Sequence, residues 1–459
     1  MVNQTTPHVL PAQSALQSLQ SAFCLIKLSG DVLVVDRLDV AAALSGNKLG
    51  SLDFYKKPPG ELLMKRYLEN LSIPCDVKRT INDFWVDPST HVYTEIAFTP
   101  TQQPTSTLNY WLGSPIKPTQ GNWDDIKLHL LEVICASDQS NYDYLIKYIA
   151  HMLQYPEVKP GVMIVLLGGQ GTGKGMFYQM LQRIWPKTSL LVSDIQQVVG
   201  KFNAVLERNF LILMDEALFS GDRKSQDRMK SFVTEQTLQI EQKHQPSRTI
   251  KSVHRFFASS NHRQFSHVEA DDRRLVFLRV SNQYQGNHEY FGSLAQSIGD
   301  DTVIAAMVHD LLAMDLSGFN VRERPITAEH GQQKILSLQG FDRYWYEVLV
   351  SECLDTRDGT FEAWSEPRFI STRSISAKYR EFDSNGQRYA PTLSKEISDA
   401  LSRLCPSAKH DRKKTSFRQE RGYLLPDLAV ARQEFEAAIN CKLDWGPSSA
   451  ESEPAVKVA

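Results

Sequence analysis

Residues 162–181 read VMIVLLGGQGTGKGMFYQML: an apolar run, a glycine-rich turn, and a segment in which Met176, Met180 and Leu181 share one helical face. This is the order strand, loop, helix. Gly168, Gly171 and Gly173 let the backbone turn tightly and aim N–H groups at phosphate oxygens, with the dipole of the following helix behind them and Lys174 reaching the outer phosphates. The expected cradle is Gly168, Gly169, Gln170, Gly171, Thr172, Gly173, Lys174, Gly175 and Met176, and the cofactors it implies are ATP and Mg²⁺. One position departs from the usual loop, because Gly175 stands where Ser or Thr would offer a hydroxyl to the metal. Water can take that place, since Mg²⁺ commonly keeps several waters and leans on phosphates and a carboxylate.

Working outward, residues 209–216 read NFLILMDE, an apolar strand ending in two carboxylates. In an α/β sheet this is the edge where ligands sit. Asp215 is the expected Mg²⁺ residue and Glu216 the group that polarises the attacking water. Residues 255–262, RFFASSNH, form a third apolar strand that delivers Asn261 to the same edge, where an amide can hold the lytic water or the γ-phosphate without adding charge. Asp271, Asp272, Arg273 and Arg274 then precede another apolar run. Two readings stand for the arginines: surface pairing with the aspartates, or a finger reaching a neighbouring subunit's nucleotide.

The rest of the chain divides by pattern into a small mixed domain (1–105), a helical lead-in (106–160), the α/β core (161–335), a helix-rich domain (336–446) and a polar tail (447–459). Residues 22–40 alternate as strands, and 84–98 read as strands broken by DPST. In the last domain Ile375, Tyr379 and Phe382 share one helical face, Leu393, Ile397, Leu401 and Leu404 another, and a basic hairpin around Gln419–Gly422 follows. That is the pattern of a winged helix, with Lys413, Lys414, Arg418 and Arg421 as phosphate contacts of the wing.

A net charge of −2 gives no global signature of nucleic-acid binding, so local clusters must carry that reading. The six cysteines lie far apart with no C-x-x-C pair, and His254, His262 and His267 lack spaced ligand partners, so neither a zinc site nor a disulfide framework is expected. The best apolar run is too short for a bilayer and no leader pattern opens the chain, which reads as cytoplasmic.

In their order and spacing these motifs resemble superfamily 3, the compact AAA+ helicases of small DNA viruses, and most closely the helicase domains that phages and prophages fuse to primase-polymerases. The resemblance spans roughly residues 84–282 and takes in NYWLGSPIKP (109–118), KYIAHMLQYPEVKPG (147–161) and KFN (201–203), stretches with no chemistry of their own. It implies an AAA+ P-loop core, an ATP-driven hexameric ring, and a channel hairpin between the carboxylate strand and the Asn261 strand. Lys243, His244 and Arg248 would then touch single-stranded DNA in the channel, while the C-terminal domain holds duplex. No primase carboxylate pair is evident in the first hundred or so residues, so a separate primase or polymerase is an expected partner. Two other readings stand beside the helicase: an initiator or loader that uses ATP to assemble on DNA, and a defence or regulatory ATPase on the same scaffold.

Overall fold

The computed structural model describes residues 14–28, 30–47, 52–216, 223–243, 247–262, 265, 272–355, 361–364, 366–382, 390–414 and 419–445. It is a mixed α/β chain with a parallel sheet and many helices. It packs as two units. One joins Met1–Ala217, Lys224–Asn261 and Arg279–Glu323; the other joins Leu218–Arg223, His262–Leu278 and Arg324–Ala459. No helix among the described residues is long and apolar enough to cross a membrane.

The first unit opens on the alternating segment, which folds as β1 (Phe23–Leu28) antiparallel to β2 (Asp31–Asp36), with β3 (Val92–Tyr93) parallel to β1 on its other edge. Helices Lys57–Leu71 and Val77–Val86 cover this sheet through Met64, Leu68, Ile81 and Phe84. Phe84 therefore belongs to a helix, not to the strand expected there. Asp76 caps that helix, accepting from the Arg79 amide at 3.1 Å, and the i, i+3 spacing of Ile81 and Phe84 buries both on one face. A short parallel pair, β4 (Glu95–Ala97) and β5 (Thr107–Asn109), leads to helix Asp124–Leu128, the π-helical turn His129–Ile134 and helix Gln139–Gln154, which stops just before Pro156.

Beyond the proline come β6 (Met163–Leu167), β7 (Ser189–Val192), β8 (Leu211–Met214), the antiparallel hairpin β9 (Thr237–Ile240) and β10 (Arg248–Lys251), and β11 (Arg255–Ser260). β6, β11, β8 and β7 lie side by side in that order and all are parallel. β6, β8 and β11 are buried along their whole lengths, which is why they read as unbroken apolar runs and not as alternation. Inserting β11 between β6 and β8 brings three strand ends to one edge: Ser260 lies beside Leu167, and Ala258 beside Met214.

The stretches without evident chemistry hold this sheet. Arg255 is fully buried, and its guanidinium donates to the carbonyls of Tyr155, Val158 and Val253 at 3.1, 2.7 and 2.7 Å, tying the turn after helix Gln139–Gln154 to β11. Trp111 meets Phe210 edge to face with centroids 5.0 Å apart. Asn203 of KFN accepts from the Glu241 amide at 2.9 Å and donates to the Gln239 carbonyl at 3.0 Å, clamping the outer end of β9.

In the second unit, after β12 (Leu275–Arg279), helices Ala328–Ser337 and Gly340–Ser351 lead to an antiparallel pair, β13 (Cys353–Asp355) and β14 (Phe361–Ala363). There follow β15 (Arg368–Ser371), helices Thr372–Phe382 and Ala390–Leu404, β16 (Lys409–Lys414), β17 (Gln419–Leu425) and helix Leu428–Ile439. β17 is the middle strand of an antiparallel sheet, between β15 and β16. Ile375, Tyr379, Leu393, Ile397, Leu401 and Leu404 all enter its core, as their spacing predicts, whereas Phe382, expected on the same face, stays exposed. The basic hairpin is longer than expected. Gln419–Gly422 is strand, because β17 finds backbone partners on both sides, and the connection at 415–418 lies outside the described residues.

Candidate nucleotide site

The loop between β6 and helix Lys174–Ile184 needs glycine at two points: Gly171 and Gly173 have φ of +73° and +104°. A Cβ at Gly173 would also lie 2.6 Å from the His129 ring. Thr172 closes the turn from within, its hydroxyl donating to the Gly169 carbonyl at 2.9 Å. Gly175 differs, since a Cβ there meets nothing within 4 Å. Its lack of a side chain is not forced by packing.

Lys174 Nζ donates to the carbonyls of Gly168 and Gly169 at 2.8 and 2.6 Å and to Asn261 Oδ1 at 2.8 Å. Burial pushes its pKa down, and the nearby Asp215 and Glu216 oppose that shift. Asn261 Nδ2 in turn donates to Glu216 Oε1 at 3.1 Å. The amide thus bridges a lysine and a carboxylate.

Glu216 has φ of +54°, a left-handed turn uncommon outside glycine, which ends β8 abruptly and turns Glu216 away from the line of Asp215. Asp215 Oδ1 accepts from the Ser259 hydroxyl and from the Glu216 amide at 3.2 Å. The expected Lys174, Asp215, Glu216 and Asn261 therefore converge at one sheet edge. The sequence reading gave Ser259 no part in it, though its place two residues before Asn261 on a parallel strand puts it on the same side.

A wall behind the loop was also not foreseen. His129 contacts the Gly173 carbonyl through Nε2 at 3.3 Å and the Tyr290 hydroxyl through Nδ1 at 3.0 Å, and burial lowers its pKa to about 4. Tyr284 stacks on Tyr290 with centroids 4.0 Å apart, and Gln285 donates to the Gln170 carbonyl at 2.8 Å. No local motif marks these residues, which come from segments before and after the loop.

Of the hairpin residues, Lys243 is exposed beyond β9 and His244 lies outside the described residues. Arg248 is not at the tip where it was expected. It begins β10 and forms a two-pronged ion pair with Glu207, Nη2 to Oε2 at 2.6 Å, both side chains at most a tenth exposed. A buried carboxylate needs such a partner, which explains the arginine without nucleic acid. His254 is likewise internal, bonded to the Leu206 carbonyl at 2.8 Å and to the Ser252 hydroxyl at 3.1 Å.

In the second unit Arg273 is exposed, and the Arg274 amide donates to Asp272 Oδ1 at 2.9 Å. Asp271 and Arg418 lie outside the described residues. Lys413 and Lys414 are exposed on β16, opposite Glu420 and Gln419.

The model of a family of unknown function, DUF5906, matches residues 166–274. The DNA primase-polymerase of Nitratiruptor phage NrS-1 is 28% identical over 172 residues, 36% of this chain and 23% of that protein. The match thus spans about a quarter of the length of that relative. Two structures of the NrS-1 C-terminal region, one of them of its residues 305–718, superimpose with TM-scores of 0.61 at 14% and 15% identity, each covering 89% of this chain and 97% of theirs. At that identity the likeness is one of fold.

Proposed function

We propose that this chain is an ATP-hydrolysing motor with an AAA+ P-loop core, of the superfamily 3 helicase kind, acting on DNA in the replication of a phage or related mobile element. The observation that carries the reading is the chain from Lys174 through Asn261 to Glu216, drawn together from three strand ends. The strand order supports it as well, since β11 separates the loop strand from the carboxylate strand. The similarity to a phage DNA primase-polymerase supports replication as the setting.

The residues present fit a nucleoside triphosphate with Mg²⁺: space lies open above Gly171, and Asp215 and Glu216 stand at the same edge. The metal would be held by Asp215 and would neutralise charge on the phosphates. Lys174 would exchange its carbonyl partners for phosphate oxygens, Glu216 would take the proton of the attacking water, and Asn261 would orient that water. Arg273 or Arg274 of a neighbouring subunit would complete the site in a hexameric ring. Lys243 and His244 would meet single-stranded DNA in the channel, and the second unit, read as a winged helix, would hold duplex. The finer domain divisions at 105, 160 and 335 belong to this reading. Gly175, which offers the metal no hydroxyl, favours the alternative of an ATP-gated initiator or loader that unwinds little.

Strand displacement on forked DNA, with and without ATP and Mg²⁺, tests the motor. Mixing tests the ring. A Lys174→Ala chain keeps its arginines, and an Arg273→Ala/Arg274→Ala chain keeps its nucleotide residues. Their mixture should recover ATPase that neither shows alone, because a finger supplied in trans is worth on the order of 10³ to 10⁵ in rate. A concentration-independent rate with no recovery on mixing would remove the ring from the proposal.

A further inference from the structure

Strand pleating sorts the charges of the C-terminal hairpin onto two faces. Residues directly opposite share a face, so His410 with Tyr423, Arg412 with Arg421, and Lys414 with Gln419 lie on one side. Lys409 with Leu424, Asp411 with Gly422, and Lys413 with Glu420 lie on the other. The first face carries basic groups and no carboxylate; the second is balanced. Like charges placed directly opposite destabilise a strand pair, yet Arg412 and Arg421 face each other and both are exposed.

Both arginines line a cleft of about 500 Å³ between the hairpin and helix Ala390–Leu404, which contributes Lys395 flanked by the small hydroxyls of Ser394 and Ser398. Among the described residues Asp411 is the one carboxylate along it, and it already accepts from the Arg412 amide at 2.7 Å.

We infer that this cleft grips the phosphodiester backbone of a nucleic acid, with Arg412, Arg421 and Lys395 as phosphate contacts and the serine hydroxyls as auxiliary donors. The arrangement offsets a repulsive pair only when an anion lies between its members. His410, Arg412 and Lys414 are spaced by two residues along a strand, about 6.6 Å per step, which suits a polymer of repeated charges better than one small anion. The inference rests on the reading that the second unit binds DNA, but not on the nucleotide site.

The test is fluorescence anisotropy of a 20-base-pair mixed-sequence DNA duplex with full-length protein, without nucleotide, over a salt series. Arg412→Ala/Arg421→Ala should weaken binding about tenfold or more and flatten the log–log salt slope by roughly 1.8, the loss of about two phosphate contacts. Its Tm should stay level or rise, because a repulsive pair is gone, and this guards against misfolding as the cause. Lys409→Ala, on the opposite face, should change the slope far less. If wild type binds but the cleft variant keeps its slope, or if inorganic phosphate or polyglutamate competes as well as unlabelled duplex, the cleft assignment is overturned. A wild-type protein that binds no duplex overturns the DNA reading beneath it.

Discussion

Lys174 and Asn261 are 87 residues apart in sequence, and the ammonium of one donates to the amide oxygen of the other at 2.8 Å. The same amide donates onward to Glu216. An ammonium and a carboxylate are thus linked through a neutral amide, so displacing the lysine would also alter what holds the carboxylate.

On the proposed reading, that linkage should separate binding from hydrolysis. Lys174→Ala should lose nucleotide affinity in a fluorescent-nucleotide titration. Glu216→Gln should bind nearly as wild type but turn over at least about 10²-fold more slowly, as expected for a general base. Asn261→Ala should fall between, with kcat reduced and affinity kept. Wild-type turnover in Glu216→Gln would show that another group handles the proton.

Two glycines of one loop should behave oppositely. Gly175→Ser places its Cβ in open space and should keep ATPase while lowering the Mg²⁺ concentration needed for half-maximal rate. Gly173→Ala forces a side chain onto φ of +104° and against His129, and should abolish nucleotide binding. A Gly175→Ser protein without ATPase would mean that the loop is shaped around that glycine after all.

Arg248 and Lys243 belong to one hairpin but sit in different surroundings, one buried against Glu207 and the other exposed. Arg248→Ala strands a buried Glu207 carboxylate and should cost about 3–5 kcal/mol of stability by denaturant titration, with much of it regained in Glu207→Ala/Arg248→Ala. Lys243→Ala/His244→Ala should instead leave the unfolding midpoint unchanged and remove stimulation of ATPase by single-stranded DNA. A Tm unaffected by Arg248→Ala would free that arginine for nucleic acid.

Acid should weaken the first unit through its buried histidines. His129 and His151 are held near a pKa of about 4 and His254 near about 3, burial being the main cause in each. An unfolded histidine takes up a proton near pH 6.5, whereas the folded chain refuses it until pH 4 or below. The folded state therefore keeps its full margin above 6.5 and loses it as pH falls toward 4. Urea midpoints should drop between pH 7 and 5, and His129→Gln should reduce that slope. Equal midpoints at pH 7 and 5 would show that these rings reach solvent.

The amino-acid sequence by itself determined the local units: a strand, glycine loop and lysine at 162–181, carboxylates after an apolar strand, and two amphipathic helices before a basic hairpin. Each is set by periodicity and backbone freedom over a dozen or so residues, information that is contiguous in the chain. It misread Phe84 because a short apolar run fits strand or helix alike, and the choice fell to the cap at Asp76 and the sheet that the helix covers. Only the tertiary structure decided which strand lies between β6 and β8, and hence that Ser259 meets Asp215 and Asn261 meets both Lys174 and Glu216. It also decided that Arg248 answers Glu207, and that adjacent Lys413 and Lys414 point to opposite faces of their hairpin. For the site residues and for Arg248 the physical reason is the same. A charged or polar side chain takes its role from the partner that compensates its desolvation, and that partner is fixed by strand order and register, which no local pattern encodes.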